Sequence, residues 1–148
     1  MQPNMGSEFT GISIVFFCHD GKGRFVMNKR GQKCRDERGR WEIGGGALEF
    51  DDDVIERLKK EVKEEYGADA ISYEFLGYRD VHRMTDSVKT HWITLDFSVL
   101  IDPAQVKNGE PEKFDAVELV TADTIPSPTH SQFPKFWEKY KDRLSNSI

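Results

Sequence analysis

The sequence predicts an α/β fold in which strands precede and follow one central helix. Residues 89–100 alternate between two sets of side chains with a period of two, which is typical of a strand in a sheet with unequal faces. Within residues 44–68, Val54, Leu58 and Val62 fall on one stripe at about 100° per residue, which predicts an amphipathic helix. Strands on both sides of a single helix favour a sheet that is covered by helices.

The composition is that of an ordinary soluble domain and argues against several classes of protein. The chain has 148 residues, enough for one domain with a sizeable core, and 32% of them are charged. Its net charge of −5 argues against general nucleic-acid binding, but not against a nucleotide substrate whose phosphates are neutralised by metal ions. No apolar run has transmembrane length, and the first residues lack a signal-peptide pattern. Cys18 and Cys34 are too few for a disulfide framework, so we expect a cytoplasmic protein without membrane association.

The remaining elements are predicted from β-branched and aromatic runs, turn residues and helical spacing. In chain order they are strands at 10–18 and 24–29 joined by a turn at 19–23, a loop at 32–40, a strand at 71–81, a loop at 102–112, a strand at 117–121 and a helix at 131–144. Residues 1–9 are predicted to be a flexible tail or non-native residues, so that the domain spans 10–148.

Residues 44–68 are the segment around which the rest of the chain is organised. Three consecutive glycines, Gly44, Gly45 and Gly46, are predicted to form a turn with positive φ angles that approaches another group closely. The acidic run at 51–53 is predicted to cap the helix, and Gly67 to end it.

Three carboxylates of this helix, those of Glu61, Glu64 and Glu65, project near the edge of the apolar stripe. Three negative charges within one turn repel one another, and partial burial increases that cost. A hard cation such as Mg²⁺ or Mn²⁺ would relieve the repulsion, since carboxylate oxygens are its preferred ligands. The alternative from spacing alone is a solvated Glu/Lys helix that happens to be acidic.

The same segment resembles the Nudix box, the signature of the Nudix (MutT-like) hydrolases, which reads G-x5-E-x7-R-E-U-x-E-E-x-G-U with U a bulky aliphatic residue. Gly46 opens the motif here, and two positions depart from it, with Asp52 in place of the first Glu and Lys60 in place of Arg. The positions that match after Lys60 are Glu61, Val62, Glu64, Glu65 and Gly67. Lys lacks the planar fork of Arg, so the departures affect the pair that braces the glycine loop against the helix in this family.

The resemblance implies an α/β/α sandwich with a mixed, curved sheet, and metal-dependent hydrolysis of a nucleoside diphosphate linked to a group X. It implies that Mg²⁺, for which Mn²⁺ can substitute, is held by Glu61, Glu64, Glu65 and the Gly45 carbonyl. Either Glu61 or Glu64 would act as the general base. By the same resemblance, Asp52 and Lys60 would brace the loop.

The predicted loop at 102–112 and the residues after it carry a second resemblance, to the E-P-E-K segment of nucleotide-directed Nudix enzymes. Glu112 is the candidate for a loop carboxylate that completes the metal site, Glu110 is the reserve, and a solvated acidic turn is the alternative. The segment favours nucleoside triphosphates, including modified or damaged ones. Relatives directed to ADP-ribose tend to carry a proline downstream of the box, and relatives directed to diadenosine polyphosphates tend to carry a tyrosine slightly further on. Residues 81–85 contain neither a proline nor a tyrosine, which argues against both substrate classes.

Three residues are candidate contacts to a small nucleotide substrate. Arg30 would lie near phosphate, with a surface arginine as the alternative; Gly46 would allow close approach; and His91 is either a substrate contact or a packed edge residue. A rival interpretation is a Nudix-fold module that senses a nucleotide or binds a protein without catalysis, which only the departures at Asp52 and Lys60 support. Either a monomer or a homodimer is expected.

Overall fold

A computed structural model describes residues 3–147 and contains seven strands, two α-helices and one short 3-10 helix, Pro103–Gln105, in that range. The strands are β1 (Gly11–His19), β2 (Phe25–Arg30), β3 (Trp41–Glu42), β4 (Gly44–Ala47), β5 (Ser72–Thr85), β6 (Val88–Leu100) and β7 (Phe114–Val120). The helices are α1 (Val54–Tyr66) and α2 (Phe133–Ser147). Neither helix in this range is long and apolar enough to cross a membrane.

The strands form one mixed sheet in the order β3-β2-β1-β6-β5, to which β4 adds by pairing with β1 and β7 by pairing with β2. β1 runs parallel to β6 over its whole length and antiparallel to β4. A strand in the middle of a sheet that is covered on both faces is apolar on both faces. β1 meets this requirement, since Ile14 and Phe16 are buried against one layer and Phe17 against the other.

Each face of the sheet is covered by one helix, so the predicted α/β/α sandwich with a mixed, curved sheet is confirmed. Leu58, Val62 and Tyr66 of α1 pack into the core cluster on one face. Phe136 and Tyr140 of α2 pack into the cluster on the other face. These are the stripes predicted from helical spacing, because residues three and four apart share one side of a helix.

The predicted glycine turn is wrong, because Gly44, Gly45 and Gly46 form strand β4. Gly45 pairs with Val15 and Gly46 with Ile14 of β1, and none of the three glycines has a positive φ angle. Three glycines carry no side-chain alternation, so only the pairing with β1 identifies them as a strand.

The ends of α1 follow the sequence signals in part. Gly67 ends the helix in the left-handed conformation, with φ 69°, as predicted. Asp53 occupies the N-cap position, but its side chain makes no cap hydrogen bond. The Asp52 carboxylate accepts a hydrogen bond from the Glu49 amide instead, at 2.8 Å, so the acidic run shapes the loop before the helix.

Other boundaries differ by a few residues. β5 continues to Thr85 and forms a long hairpin with β6, whereas the sequence predicted its end at residue 81. β7 begins at Phe114, three residues before the predicted start, because it pairs with β2 as far as Arg30. Before β1, the Gly6 carbonyl accepts a hydrogen bond from the His91 amide at 2.8 Å. The predicted division at residue 10 stays a prediction.

Candidate active site

Three carboxylates meet where α1 faces the loop before β7. One oxygen each from Glu61, Glu64 and Glu110 lies within 4.8 Å of the other two. Glu61 is half-buried, Glu64 is exposed and Glu110 is half-buried. The structure therefore brings Glu110, the reserve, to the helix carboxylates, while the preferred candidate Glu112 is exposed and lies outside this group.

Backbone contacts at the end of α1 place the Glu110 loop. The Gly109 amide donates to the Glu65 carbonyl and the Lys107 amide donates to the Tyr66 carbonyl, each at 2.9 Å. Both carbonyls lie in the last turn of the helix, where carbonyl groups have no N–H partner within the helix. A Cβ atom at position 109 would lie 2.0 Å from the Glu64 carbonyl oxygen, so only glycine fits this approach. Glu110 follows directly and is carried to the cluster.

Glu65, which was also predicted as a metal ligand, lies outside this group of three carboxylates and is nearly fully buried. Burial raises the pKa of Glu65 well above its ordinary value, the nearby charge of Glu61 raises it further, and a hydrogen bond from the Gly45 amide lowers it. The predicted contribution of Gly45 was its carbonyl, whereas this contact uses its amide. Strand β4 and helix α1 are thus joined through the Glu65 carboxylate.

Glu61 is held against β4 on one side and Arg57 on the other. A Cβ atom at Gly46 would lie 2.9 Å from Cδ of Glu61, so the glycine leaves room for the carboxylate. Burial raises the pKa of Glu61, whereas the Arg57 charge lowers it and the Glu64 charge raises it. Gly46 therefore contacts the catalytic candidate directly.

Arg57 makes the contact to Asp52 that was predicted for Lys60. Its Nε lies 3.2 Å from Oδ2 of Asp52 and 3.5 Å from Oε1 of Glu61, and it donates to the Ala47 carbonyl at 3.3 Å. The ion pair of Lys60 is instead with Glu64, at 3.9 Å on the exposed side of the helix. The predicted Asp52–Lys60 pair is thus replaced by Asp52–Arg57. Arg57 was missed, although it precedes Glu61 by four residues, the spacing at which helical side chains meet.

A cavity of 330 Å³ lies beside the glycine strand, on the face of the sheet that α2 covers. Its walls combine Trp92, Phe133 and Phe136 with a small number of polar groups. One of these is Gln132, whose Oε1 is buried and has no hydrogen-bond partner in the described part of the chain. An apolar pocket of this size with few polar groups is typical of small-molecule sites. The sequence placed residue 132 inside the predicted helix 131–144, whereas α2 begins at Phe133, and no motif pointed to Gln132 as a site residue.

Two arginines line the cavity and both are fixed by carboxylates. Arg30 pairs with Glu42 at 3.1 Å and with Asp36 at 2.9 Å. Arg79 makes a two-pronged contact with the fully buried Asp96, at 2.7 and 2.9 Å. Such forked contacts hold an arginine in one orientation. The predicted substrate contact Arg30 is therefore placed at the cavity, beside β4.

His91 lies elsewhere. It neighbours Trp92 on β6, and successive side chains of a strand point to opposite faces. Trp92 lines the cavity, so His91 points to the other face, where its Nε2 lies 2.9 Å from Oδ1 of Asp80. The structure does not bring His91 to the other predicted substrate residues.

Comparisons with known proteins bear on the family and the fold. A family model described as the NUDIX domain matches residues 10–140. A search of curated proteins gives no match to the sequence.

Solved structures share the fold at low sequence identity. A MutT NUDIX hydrolase from Burkholderia pseudomallei superposes with a TM-score of 0.76 at 20% identity, over 89% of this chain and 98% of that one. A MutT protein from Methanosarcina mazei Go1 gives 0.74 at 22% identity, over 91% and 95% of the two chains. A NUDIX hydrolase from Nitrosomonas europaea gives 0.69 at 16% identity, over 94% and 91%.

Proposed function

Because this chain belongs to the Nudix family of hydrolases, we propose that it cleaves a pyrophosphate bond in a nucleoside diphosphate linked to a group X. The preferred substrate is a nucleoside triphosphate, including modified or damaged ones, and the product is a nucleoside monophosphate. The observation that carries the proposal is the convergence of Glu61, Glu64 and Glu110 beside strand β4, whose glycines also line the cavity.

The donor set fits a hard divalent cation. Three carboxylates within 4.8 Å of one another repel unless a cation lies among them, and oxygen donors suit Mg²⁺ or Mn²⁺. Glu61, Glu64 and Glu110 would hold the ion, with Glu65 and Gly45 behind them. When bound, Mg²⁺ would neutralise phosphate charge and act as a Lewis acid toward the phosphoryl oxygens.

The chain's own groups would position the substrate and move the proton. Glu61 or Glu64 would accept the proton of the attacking water, and Arg57 would keep the Glu61 carboxylate in place through their ion pair. Arg30, which lines the cavity beside β4, would lie near phosphate. Catalysis of this kind depends on positioning and charge neutralisation and needs no covalent intermediate.

The cavity would take the nucleoside. Trp92, Phe133 and Phe136 line it and would supply apolar contacts to a base. The buried Oε1 of Gln132 needs a donor, and an N–H group of a base would satisfy it. These features favour a nucleotide over an anhydride without a base.

A nucleotide panel with Mg²⁺ or Mn²⁺ tests the proposal. Wild-type protein should release monophosphate from at least one triphosphate, and Glu61→Gln and Glu64→Gln should each lower kcat by at least ~10². Glu56→Gln is the matched control, because Glu56 is exposed in the first turn of the same helix. Melting temperatures of all three variants should stay within a few degrees of wild type.

Two outcomes would count against an enzyme. If no substrate is turned over with either metal while one nucleotide binds tightly, the protein is a nucleotide-sensing module. If turnover survives in both Gln variants, the chemistry lies elsewhere in the molecule.

A further inference from the structure

The outer part of the β5–β6 hairpin carries two of the four histidines of the chain. His82 on β5 and His91 on β6 are directly opposite in the antiparallel register. Asp80 precedes His82 by two residues on the same strand, so all three side chains emerge on one face of the hairpin. Asp80 and His82 are two residues apart on β5, and His91 lies opposite them on β6, so the three side chains meet above one point of the sheet.

The distances match this expectation. One ligand atom each from Asp80, His82 and His91 lies within 4.8 Å of the other two. The two imidazole rings stack with centroids 4.2 Å apart and an interplanar angle of 19°. Nε2 of His91 lies 2.9 Å from Oδ1 of Asp80.

The second ring nitrogen of His91 also has a fixed partner. Nδ1 of His91 lies 3.2 Å from the Thr10 hydroxyl. A hydroxyl can donate or accept, so Thr10 orients the ring in either tautomer. A hydrogen bond at the far nitrogen is the usual companion of a histidine that ligates a metal.

This cluster is separate from the carboxylates of α1. His91 stands four residues before Leu95 on β6, about 13 Å along the strand. Leu95 pairs with Ile14 of β1, and Ile14 pairs in turn with Gly46. The cavity lies on the opposite face, where Arg79 and Trp92 alternate with Asp80 and His91. The carboxylates of α1 share the face of the cluster, but this distance along the strand and the two strand spacings across the sheet separate them from it. The cluster is therefore not an extension of the site described above.

We propose that Asp80, His82 and His91 form a binding site for a borderline divalent transition-metal ion such as Zn²⁺. Two imidazoles and one carboxylate are a ligand set that suits Zn²⁺ and disfavours Mg²⁺, which prefers oxygen throughout. All three side chains are exposed or half-exposed, so an ion has direct access and solvent completes its coordination. Bound metal would join β5, an edge strand of the sheet, to β6 close to the turn of the hairpin.

Calorimetric titration of the full chain with Zn²⁺, in the presence of excess Mg²⁺, tests the site. Wild type should bind one Zn²⁺ that Mg²⁺ does not displace, and His82→Gln and His91→Gln should each weaken binding by at least ~10-fold. Asp86→Asn, a carboxylate in the turn of the same hairpin, should bind as wild type does. Glu61→Gln should also bind as wild type does, which separates this site from the one at α1.

Histidine side-chain NMR adds a readout that does not depend on variants. On addition of Zn²⁺, the signals of His82 and His91 should shift together, while those of His19 and His130 stay in place. Melting temperature should rise with Zn²⁺ in wild type but not in His82→Gln. Equal affinity in wild type and both histidine variants, or shifts confined to His19 and His130, would overturn the assignment.

Discussion

Arg57 offers the sharpest test of how the site is held together, through the replacement Arg57→Met. The side chain is 16% exposed and contacts the carboxylates of Asp52 and Glu61, which are 29% and 14% exposed. A hydrogen bond to a charged group contributes about 1.5–3 kcal/mol. The two N–O distances, 3.2 and 3.5 Å, exceed the ~2.8 Å of the strongest pairs. We therefore expect the two Arg57 contacts together to stabilise the folded state as much as one such hydrogen bond, by about 2 kcal/mol.

That loss should appear in both stability and activity. For a domain of this size, about 2 kcal/mol corresponds to a fall of ~4–8 °C in melting temperature. Without its guanidinium partner, the Glu61 carboxylate would shift from its place beside Gly46, and a displacement of about 1 Å in a catalytic group costs ~10² in rate. We expect Arg57→Met to lower kcat by ~10–100-fold in the nucleotide assay, and Arg57→Lys to lie between it and wild type.

Lys60→Met is the matched control, since it removes a cation three residues away on the same helix. Lys60 is 61% exposed and its pair with Glu64 is 3.9 Å long. Such a pair contributes little, and surface substitutions usually change stability by less than ~0.5 kcal/mol. A double-mutant cycle of Arg57→Met with Asp52→Asn should show coupling of at least ~0.5 kcal/mol. If Lys60→Met loses as much activity as Arg57→Met, the brace runs through position 60 and the contact described here is not the functional one.

Two further predictions concern the loop carboxylate and a buried histidine. Glu110→Gln should weaken Mn²⁺ binding in calorimetry while Glu112→Gln leaves it unchanged, because only Glu110 reaches the helix carboxylates; the reverse result would restore the sequence-based choice of Glu112. Burial lowers the pKa of His19, whose Nδ1 accepts a hydrogen bond from the Gly21 amide, so the unfolded chain binds more protons than the folded one. The free energy of unfolding should therefore fall as pH drops through about 6.5. In denaturant titrations, the dependence of this free energy on pH should be shallower in His19→Asn than in wild type, by up to ~1.4 kcal/mol per pH unit. The same pH dependence in both proteins would show that His19 contributes nothing.

Local patterns in the sequence were enough to predict the helices and most strands. The spacing of Leu58 and Val62, and of Phe136 and Tyr140, fixes which face of each helix is buried. Gly67 ends α1 because only the left-handed conformation closes that turn. Each of these signals acts within a few residues, so no knowledge of the partner surface is needed.

The parts of the site that escaped prediction depend on contacts between distant segments. Glu110 and Glu112 have similar sequence surroundings, and the choice between them is made by Gly109, which fits against the Glu64 carbonyl. The alternation of residues 89–100 shows that His91 and Trp92 point to opposite faces, but not which face holds the cavity. That depends on where α2 packs, more than 40 residues away in the sequence.

The exchange between Arg57 and Lys60 has a different origin. The motif expects the bracing arginine at position 60, whereas the contacts in the structure only require a guanidinium near the carboxylates of Asp52 and Glu61. Position 60 precedes Glu61 by one residue and so points about 100° away from it around the helix. Position 57 lies one turn before Glu61 and also faces the Ala47 carbonyl and Asp52. Because Arg57 supplies that guanidinium, the lysine at position 60 does not by itself indicate a weakened brace. The departure from the motif at Lys60 therefore gives little support to a non-catalytic module.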